Sequence, residues 1–400
     1  MKHFANFNLC LYTDVLFGKG VESDAGKMIV KHGGSRVMVI YGSGSVKKSG
    51  LLDRILAAIR AEGLYCVEFG GVKANPLRSL VDKCIEAATR EKIDFFLAVG
   101  GGSVIDTAKA AALAIANVAT EYWKFFCGTQ PEKMAPLGTV HTISAAGSEM
   151  SRSTVIVDDV EKKRKVGVNW DCCRPVFALM NPELTYSVPA YQTAAGAADI
   201  IAHSVSRYFT KDMPSSSLGD EFAEGIVRTV IRFGPVAVAS PEDYEARAEL
   251  MMAAAFSHND LTGIGRSGPR GGEHPLEHQI SGLFDTAHGA GLAVIIPAWL
   301  QYAANNGTPA HVARIARFFT NVFGMNSALF DDKTAANAGL AAFRAWIRSI
   351  GMPLSLRELG VPADGLEKLI NKTIEANNGK IPGFIDLDES AIRAIYTSAF

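Results

Sequence analysis

The sequence predicts an α/β half followed by an all-helical half, and three observations carry that expectation. Up to about residue 188, short buried-strand patterns alternate with segments of helical apolar spacing. Two glycine-serine turns in that stretch each stand between a strand and the helix after it. Beyond NPELTYSVP, near Pro189, strand-like runs almost vanish, and Ala, Leu, Ile and Arg recur at helical spacing. The expected domains are therefore residues 1–188 and 189–400.

RVMVIYG (Arg36 to Gly42) is the first clear strand. A glycine-serine turn follows, then LLDRILAAIRAEG, a helix ended by Gly63. YCVEFGGV is the next strand and ANPLRSLVDKCIEAATREK the next helix. DFFLAVGG leads as a strand into the helix SVIDTAKAAALAIAN. LGTVHTIS, STVIVDD and PVFALMNPE complete the expected strands. Such alternation points to a parallel sheet covered on both faces. In the second half only GLAVIIPAWL is ambiguous between strand and helix, and GIGRSGPRGGEHP reads as a loop.

Composition excludes several classes. Four hundred residues allow two domains, each with a full core. The apolar share is 48%, the charged share 20% and the formal net charge −1, so nothing electrostatic favours nucleic acid or an acidic membrane as partner. No apolar run suggests a membrane span, and MKHFANFNLCLYTD lacks the layout of a signal peptide. Six cysteines (Cys10, Cys66, Cys84, Cys127, Cys172 and Cys173) form no CxxC pair, so neither a disulfide framework nor a zinc ribbon is indicated. A reducing cytoplasm is the expected location.

AVGGGSVIDTAK places Gly100, Gly101, Gly102 and Ser103 between a strand and a helix. Phosphate binding needs backbone that ligands can approach, free N–H groups and a positive helix end, and this layout supplies them. It is neither GxGxxG nor a P-loop, and a tight turn without a ligand has the same appearance. YGSGSVKKSG is a second such turn, with Gly42, Ser43, Gly44 and Ser45 followed by Lys47 and Lys48 and no acidic residue. An acidic residue there would hold the ribose diol of NAD; hydroxyls and lysines favour a 2′-phosphate, against the alternative of a solvated basic loop. Asn75-Pro76 ends another strand and could face the same nucleotide.

The second half carries the metal-type chemistry. Asp199 and His203 stand four apart in GAADIIAH, on one helix face; His274 and His278 repeat that spacing in EHPLEH, and His288 opens HGAGLA beside two glycines. One carboxylate and three imidazoles suit a divalent transition metal, and such a set can leave a coordination position for substrate. A single histidine on an apolar face is more often a core or surface residue, so the set carries the argument and no member does alone. A rival motif is HPLEH itself, which fits the inverted zinc-protease pattern with Glu277 as base, but it leaves Asp199, His203 and the nucleotide-like half unexplained.

Over nearly its whole length the chain resembles the iron-containing (group III) alcohol dehydrogenase family, in particular its NADPH-dependent butanol dehydrogenase and aldehyde reductase branch. The resemblance rests on YGSGSVKKSGLLD, GGGSVIDTAK, TISAAGSEMS, NPELTYSVP, GAADIIAH and EHPLEHQISGLFDTAHGAGLA, in that order and spacing. It implies a Rossmann-like nucleotide-binding domain and an all-α metal-binding domain of the dehydroquinate synthase-like fold, with the active site in the cleft between them. It places the metal on Asp199, His203, His274 and His288, and phosphate on Gly100 to Ser103 with Asp106 close by. Further cofactor contacts fall on Thr142, Lys165, Leu184 and Asn75, and on Ser151, where the branch often has asparagine. His278 matches a histidine near the nicotinamide with a proton-relay role. Departures are Ala146, which lacks a hydroxyl common at that place, and Ser206, where a glutamate is usual. The expected reaction is reversible hydride transfer between NADP(H), with NAD(H) a second possibility, and small primary alcohols or aldehydes, assisted by Fe(II) or Zn(II). A homodimer is the implied assembly. Glycerol dehydrogenases and dehydroquinate synthase share the architecture and stand as alternatives, as does a non-catalytic nucleotide-binding or metal-storage protein.

Overall fold

The computed structural model describes residues 4–161, 164–213, 217–326 and 329–400. The chain packs as two compact units: Cys10–Ser187, and Val188–Phe400 together with the described residues before Cys10. Those opening residues join the helical unit because the Phe4 ring lies over Gly265 and the Ala5 amide donates to the Gly265 carbonyl at 3.0 Å.

In the first unit the strands are β1 (Asp14–Phe17), β2 (Arg36–Gly42), β3 (Tyr65–Val72), β4 (Phe95–Gly100), β5 (Leu137–His141), β6 (Ser153–Asp158), β7 (Arg164–Asn169) and β8 (Phe177–Met180). Six of them form one sheet in the order β1-β8-β5-β4-β2-β3, and every neighbouring pair is parallel. The remaining two, β6 and β7, pair antiparallel as a separate ribbon. The sequence pattern passes over β1, only four residues long, and β7, whose RKVGVN mixes basic and small residues.

All six residues of β4 are buried, which explains its uninterrupted apolar run. Phe95, Leu97 and Val99 pack with the helices Ala25–Lys31 and Leu51–Ala61. Phe96 and Ala98 point the other way, toward the helices Arg78–Arg90 and Gly102–Ala116. The two-residue period of the strand thus divides one apolar run between two cores. The C-terminal ends of β2, β4 and β5 deliver the 42–48, 100–103 and 142–147 segments, the place where open parallel sheets bind ligands.

Among the described residues the second unit is built of helices, with only isolated bridges of extended chain. GLAVIIPAWL lies inside the helix His288–Asn306 and is buried from Gly289 through Leu300. A helix apolar on every side has no periodic polar face, so its sequence reads equally well as a buried strand. No helix among the described residues is long and apolar enough to cross a membrane.

Candidate active site

The helical unit gathers Asp199 and three histidines from three helices. Asp199 and His203 sit one turn apart on Ala190–Tyr208, deep among buried residues. His274 is on Glu273–Phe284, and His288 opens His288–Asn306. The HGAG sequence is what lets the last helix approach. A Cβ at Gly289 would lie 1.8 Å from the Ala195 carbonyl oxygen, and one at Gly291 would lie 2.7 Å from Glu277 Oε1. Any larger residue at 289 would push His288 away from the Asp199 helix.

Ligand-type atoms of Asp199, His274 and His288 converge within 4.8 Å of one another. His288 Nε2 is 3.9 Å from Asp199 Oδ1, and His203 Nε2 is 3.4 Å from the same oxygen. The His203 ring stacks at 4.9 Å on His274 and at 3.9 Å on His258, a neighbour the sequence did not single out. Buried His203 Nε2 and His274 Nε2 make no hydrogen bond. Burial holds the His203 imidazole well below its usual range, and the nearby histidines and Arg207 act in the same direction. It is therefore neutral, the form that ligates a metal.

Buried carboxylates orient the other two rings. His274 Nδ1–H donates to Glu273 Oε1 at 2.8 Å, and Ser206 Oγ donates to that same oxygen. His288 Nδ1–H donates to Glu277 Oε2. Each of these contacts places the proton on Nδ1 and leaves the Nε2 lone pair to face the Asp199 carboxylate region. The donor set, the neutral His203 imidazole and the buried Nε2 atoms of His203 and His274 that make no hydrogen bond all fit a divalent transition metal. Ser206 is bonded to a carboxylate that arrives from Glu273 on another helix. Sequence reading missed Glu273 altogether and gave Glu277 a role only as a protease base. With Glu277 fully buried and committed to His288, it has no exposed carboxylate with which to activate water.

Supporting carboxylates of this kind typically contribute about 10–100-fold to metal affinity. Glu273→Gln and Glu277→Gln are each expected to weaken metal retention by that order, measured by chelator competition. Unchanged retention in both variants would remove the orienting role.

His278 lies on the same helix as His274. Its ring centroid is 5.5 Å from that of His288 and 6.1 Å from that of His274. Glu277, His278 and His288 form a second convergent trio, but its Glu277 is already bonded to His288 Nδ1.

In the other unit, the glycine turn between β4 and Gly102–Ala116 is held against the segment after β5. Thr142 N donates to the Gly100 carbonyl at 3.2 Å, and a Cβ at Gly101 would sit 2.1 Å from Ile143 Cγ2. Gly102 and Ser103 open the helix, so their amides have no partner within it and face a positive helix end. Thr142, Ser103 and Leu184 are half-buried, with Leu184 in the turn Pro182–Thr185. Asn75 follows β3 with a left-handed φ of 54°. Lys165 lies on β7, near enough to Asp106 to act on it electrostatically.

Two expected cofactor residues prove to have structural work. The Asp106 carboxylate accepts from Ser148 Oγ at 2.7 Å and from the Val155 amide at 3.0 Å. Burial pushes its titration up, with Lys109 the main influence opposing. Ser151 is fully buried, and its Oγ accepts from the Ser153 amide at 3.2 Å. The reason is Lys109, which sequence reading left unassigned. Its buried ammonium donates to Ser148 O (2.8 Å), Ser148 Oγ (2.9 Å), Ser151 O (2.9 Å) and Ser153 O (2.8 Å).

A turn reading YGSGSVKKSG contains no acidic side chain, yet one reaches it from β3. Glu68 Oε2 accepts from the Tyr41 hydroxyl at 3.1 Å and stands 3.8 Å from Lys47 Nζ.

The model of iron-containing alcohol dehydrogenase matches residues 13–182, and that of the family's C-terminal domain matches residues 193–400. The chain belongs to the iron-containing alcohol dehydrogenase family. Among its relatives is NADH-dependent butanol dehydrogenase A of Clostridium acetobutylicum, 34% identical over 99% of this chain and 100% of that protein. Another is NADPH-dependent aldehyde reductase YqhD of Escherichia coli, 32% identical over 98% of this chain and 99% of that one. The crystal structure of NADH-dependent butanol dehydrogenase A from Thermotoga maritima superposes with a TM-score of 0.92 at 34% identity, covering all of both chains. Family membership accounts for both halves at once and leaves the protease reading of HPLEH without support. The relatives differ in the nicotinamide cofactor their names carry, so the family alone does not choose between NADPH and NADH.

Proposed function

We propose that this iron-containing alcohol dehydrogenase interconverts small primary alcohols and aldehydes with NADP(H), using one divalent metal held by Asp199, His203, His274 and His288. The observation that carries the reading is the convergence of Asp199, His274 and His288, with the outward nitrogens of both histidines committed to buried carboxylates. A bound Fe(II) or Zn(II) ion supplies Lewis acidity toward a carbonyl oxygen, and the nicotinamide supplies the hydride.

The protein's own contribution is alignment and proton control. Glu273 and Glu277 hold the His274 and His288 rings in one tautomer before any ligand arrives, so little reorganisation is needed on binding. The Gly100–Ser103 turn and the Gly42–Ser45 turn offer backbone amides to the phosphates, and Thr142, Lys165, Leu184 and Asn75 are the proposed further contacts. His278, whose ring lies 5.5 Å from that of His288 and 6.1 Å from that of His274, is the proposed proton carrier for the alcohol oxygen.

The direct test is NADPH oxidation with butanal, glyoxal and longer aldehydes, using protein loaded in turn with iron and zinc. Turnover that depends on added metal supports the reading, whereas metal-bound protein with no aldehyde-dependent oxidation of either nicotinamide would reject it. Cofactor preference is a separate expectation: kcat/KM is expected to be higher with NADPH than with NADH. An equal or higher value with NADH would reverse that assignment.

A further inference from the structure

The absence of an acidic residue from the Gly42–Gly50 turn favours a 2′-phosphate, yet the fold supplies a carboxylate to that turn from another strand. Parallel pairing of β2 with β3 sets Val39 opposite Glu68 and Ile40 opposite Phe69, and the register then shifts so that Gly42 faces Val72. Glu68 thereby comes up beside Tyr41 at the end of β2. The Tyr41 ring is buried against Gly70, where a Cβ would come within 2.4 Å of it, so the phenol has little room to swing. Its hydroxyl donates to Glu68 at 3.1 Å. Lys47, on the short helix Ser45–Lys48, lies with Nζ 3.8 Å from Glu68 Oε2 and 4.9 Å from the Tyr41 ring centroid. Both charged side chains remain partly open to solvent, 55% for Lys47 and 41% for Glu68, so either can meet a ligand.

A fixed phenol thus positions a carboxylate, and the carboxylate and the aromatic face together hold the lysine. We propose that Glu68 is a specificity-determining residue acting through Lys47. Its carboxylate engages the ammonium that a 2′-phosphate needs, and so limits the preference for NADPH over NADH. The inference rests on the reading that the Gly42–Lys48 turn receives the adenosine ribose. When NADPH binds, its phosphate competes with Glu68 for Lys47; NADH, which has only a hydroxyl there, does not.

The test is steady-state kinetics with both cofactors at low ionic strength for the wild type, Glu68→Gln, Lys47→Met and the double variant. Glu68→Gln is expected to lower the KM for NADPH about threefold to fivefold, the range of a partly exposed ion pair, and to move the KM for NADH much less. Lys47→Met is expected to raise the KM for NADPH by a similar factor. In the Lys47→Met background the effect of Glu68→Gln should vanish, a loss that general loosening of the turn would not produce. The proposal is overturned if Glu68→Gln instead raises the KM for NADH with NADPH unaffected, which would make Glu68 a direct ribose ligand. It is also overturned if the Glu68→Gln effect survives in the Lys47→Met background, or is absent while Lys47→Met weakens NADPH. If Lys47→Met changes neither KM, the reading of the turn as the 2′-phosphate site fails as well, and the two failures are told apart.

Discussion

Replacing His274 by alanine is expected to remove bound metal and turnover together. The ring contributes a buried Nε2 that makes no hydrogen bond, next to Asp199 and His288. Its loss also takes from the fully buried Glu273 carboxylate the Nδ1 partner that it shares with the Ser206 hydroxyl. Loss of Lewis-acid assistance is worth several kcal/mol, so turnover should fall by about a thousandfold or more. Elemental analysis of the purified variant and aldehyde-dependent NADPH oxidation are read on the same sample. The helix Glu273–Phe284 keeps Leu276 and Ile280 in the core, so folding is expected to persist, as circular dichroism can check. A metal-free His274→Ala protein with wild-type activity would end the proposal for this site.

Lys109→Met is expected to destabilise the nucleotide-binding unit by about 3–5 kcal/mol, the usual cost of breaking a buried charged network by removing one partner. The ammonium holds three backbone carbonyls and the Ser148 hydroxyl, and that hydroxyl in turn donates to Asp106. Burial pushes the lysine's titration down to about 8, with Asp106 the main influence in the other direction, so at neutral pH the cation is present and its donors are filled. Methionine keeps the volume and loses every donor. Arginine is not expected to rescue, because a planar fork cannot replace a compact ammonium surrounded by four oxygens. Denaturant unfolding followed by a probe confined to the first unit measures the loss; an unfolding midpoint equal to the wild type's would show that the network contributes nothing.

The division into an α/β half and a helical half was legible because each half has its own apolar period. The parallel sheet follows from the alternation of strand and helix, and the uninterrupted apolar run of β4 marks a strand covered on both faces. Two strands were not legible. Four-residue β1 is too short to show a period, and β7 draws its stability from pairing with β6, which no local pattern reports. The residues proposed for the metal could be named because carboxylate and imidazole are the side chains such ions prefer, and the spacing in GAADIIAH is local to one helix.

By itself, then, the sequence determined the fold class, the family and the kinds of atoms available to a metal and to phosphate, because periodicity, turn chemistry and donor type are properties of short segments. Only the tertiary structure decided which carboxylate serves which ring. It set Glu273 on His274, Glu277 on His288, Lys109 under the Ser148–Ser153 segment and Glu68 beside Lys47. All but one of these pairs join residues far apart in the chain or on different elements. The exception, Glu273 with its neighbour His274, acquires meaning only when burial on the helix face forces the carboxylate onto the ring. Helix packing and strand register create such contacts, and a residue's neighbours along the chain carry no record of them.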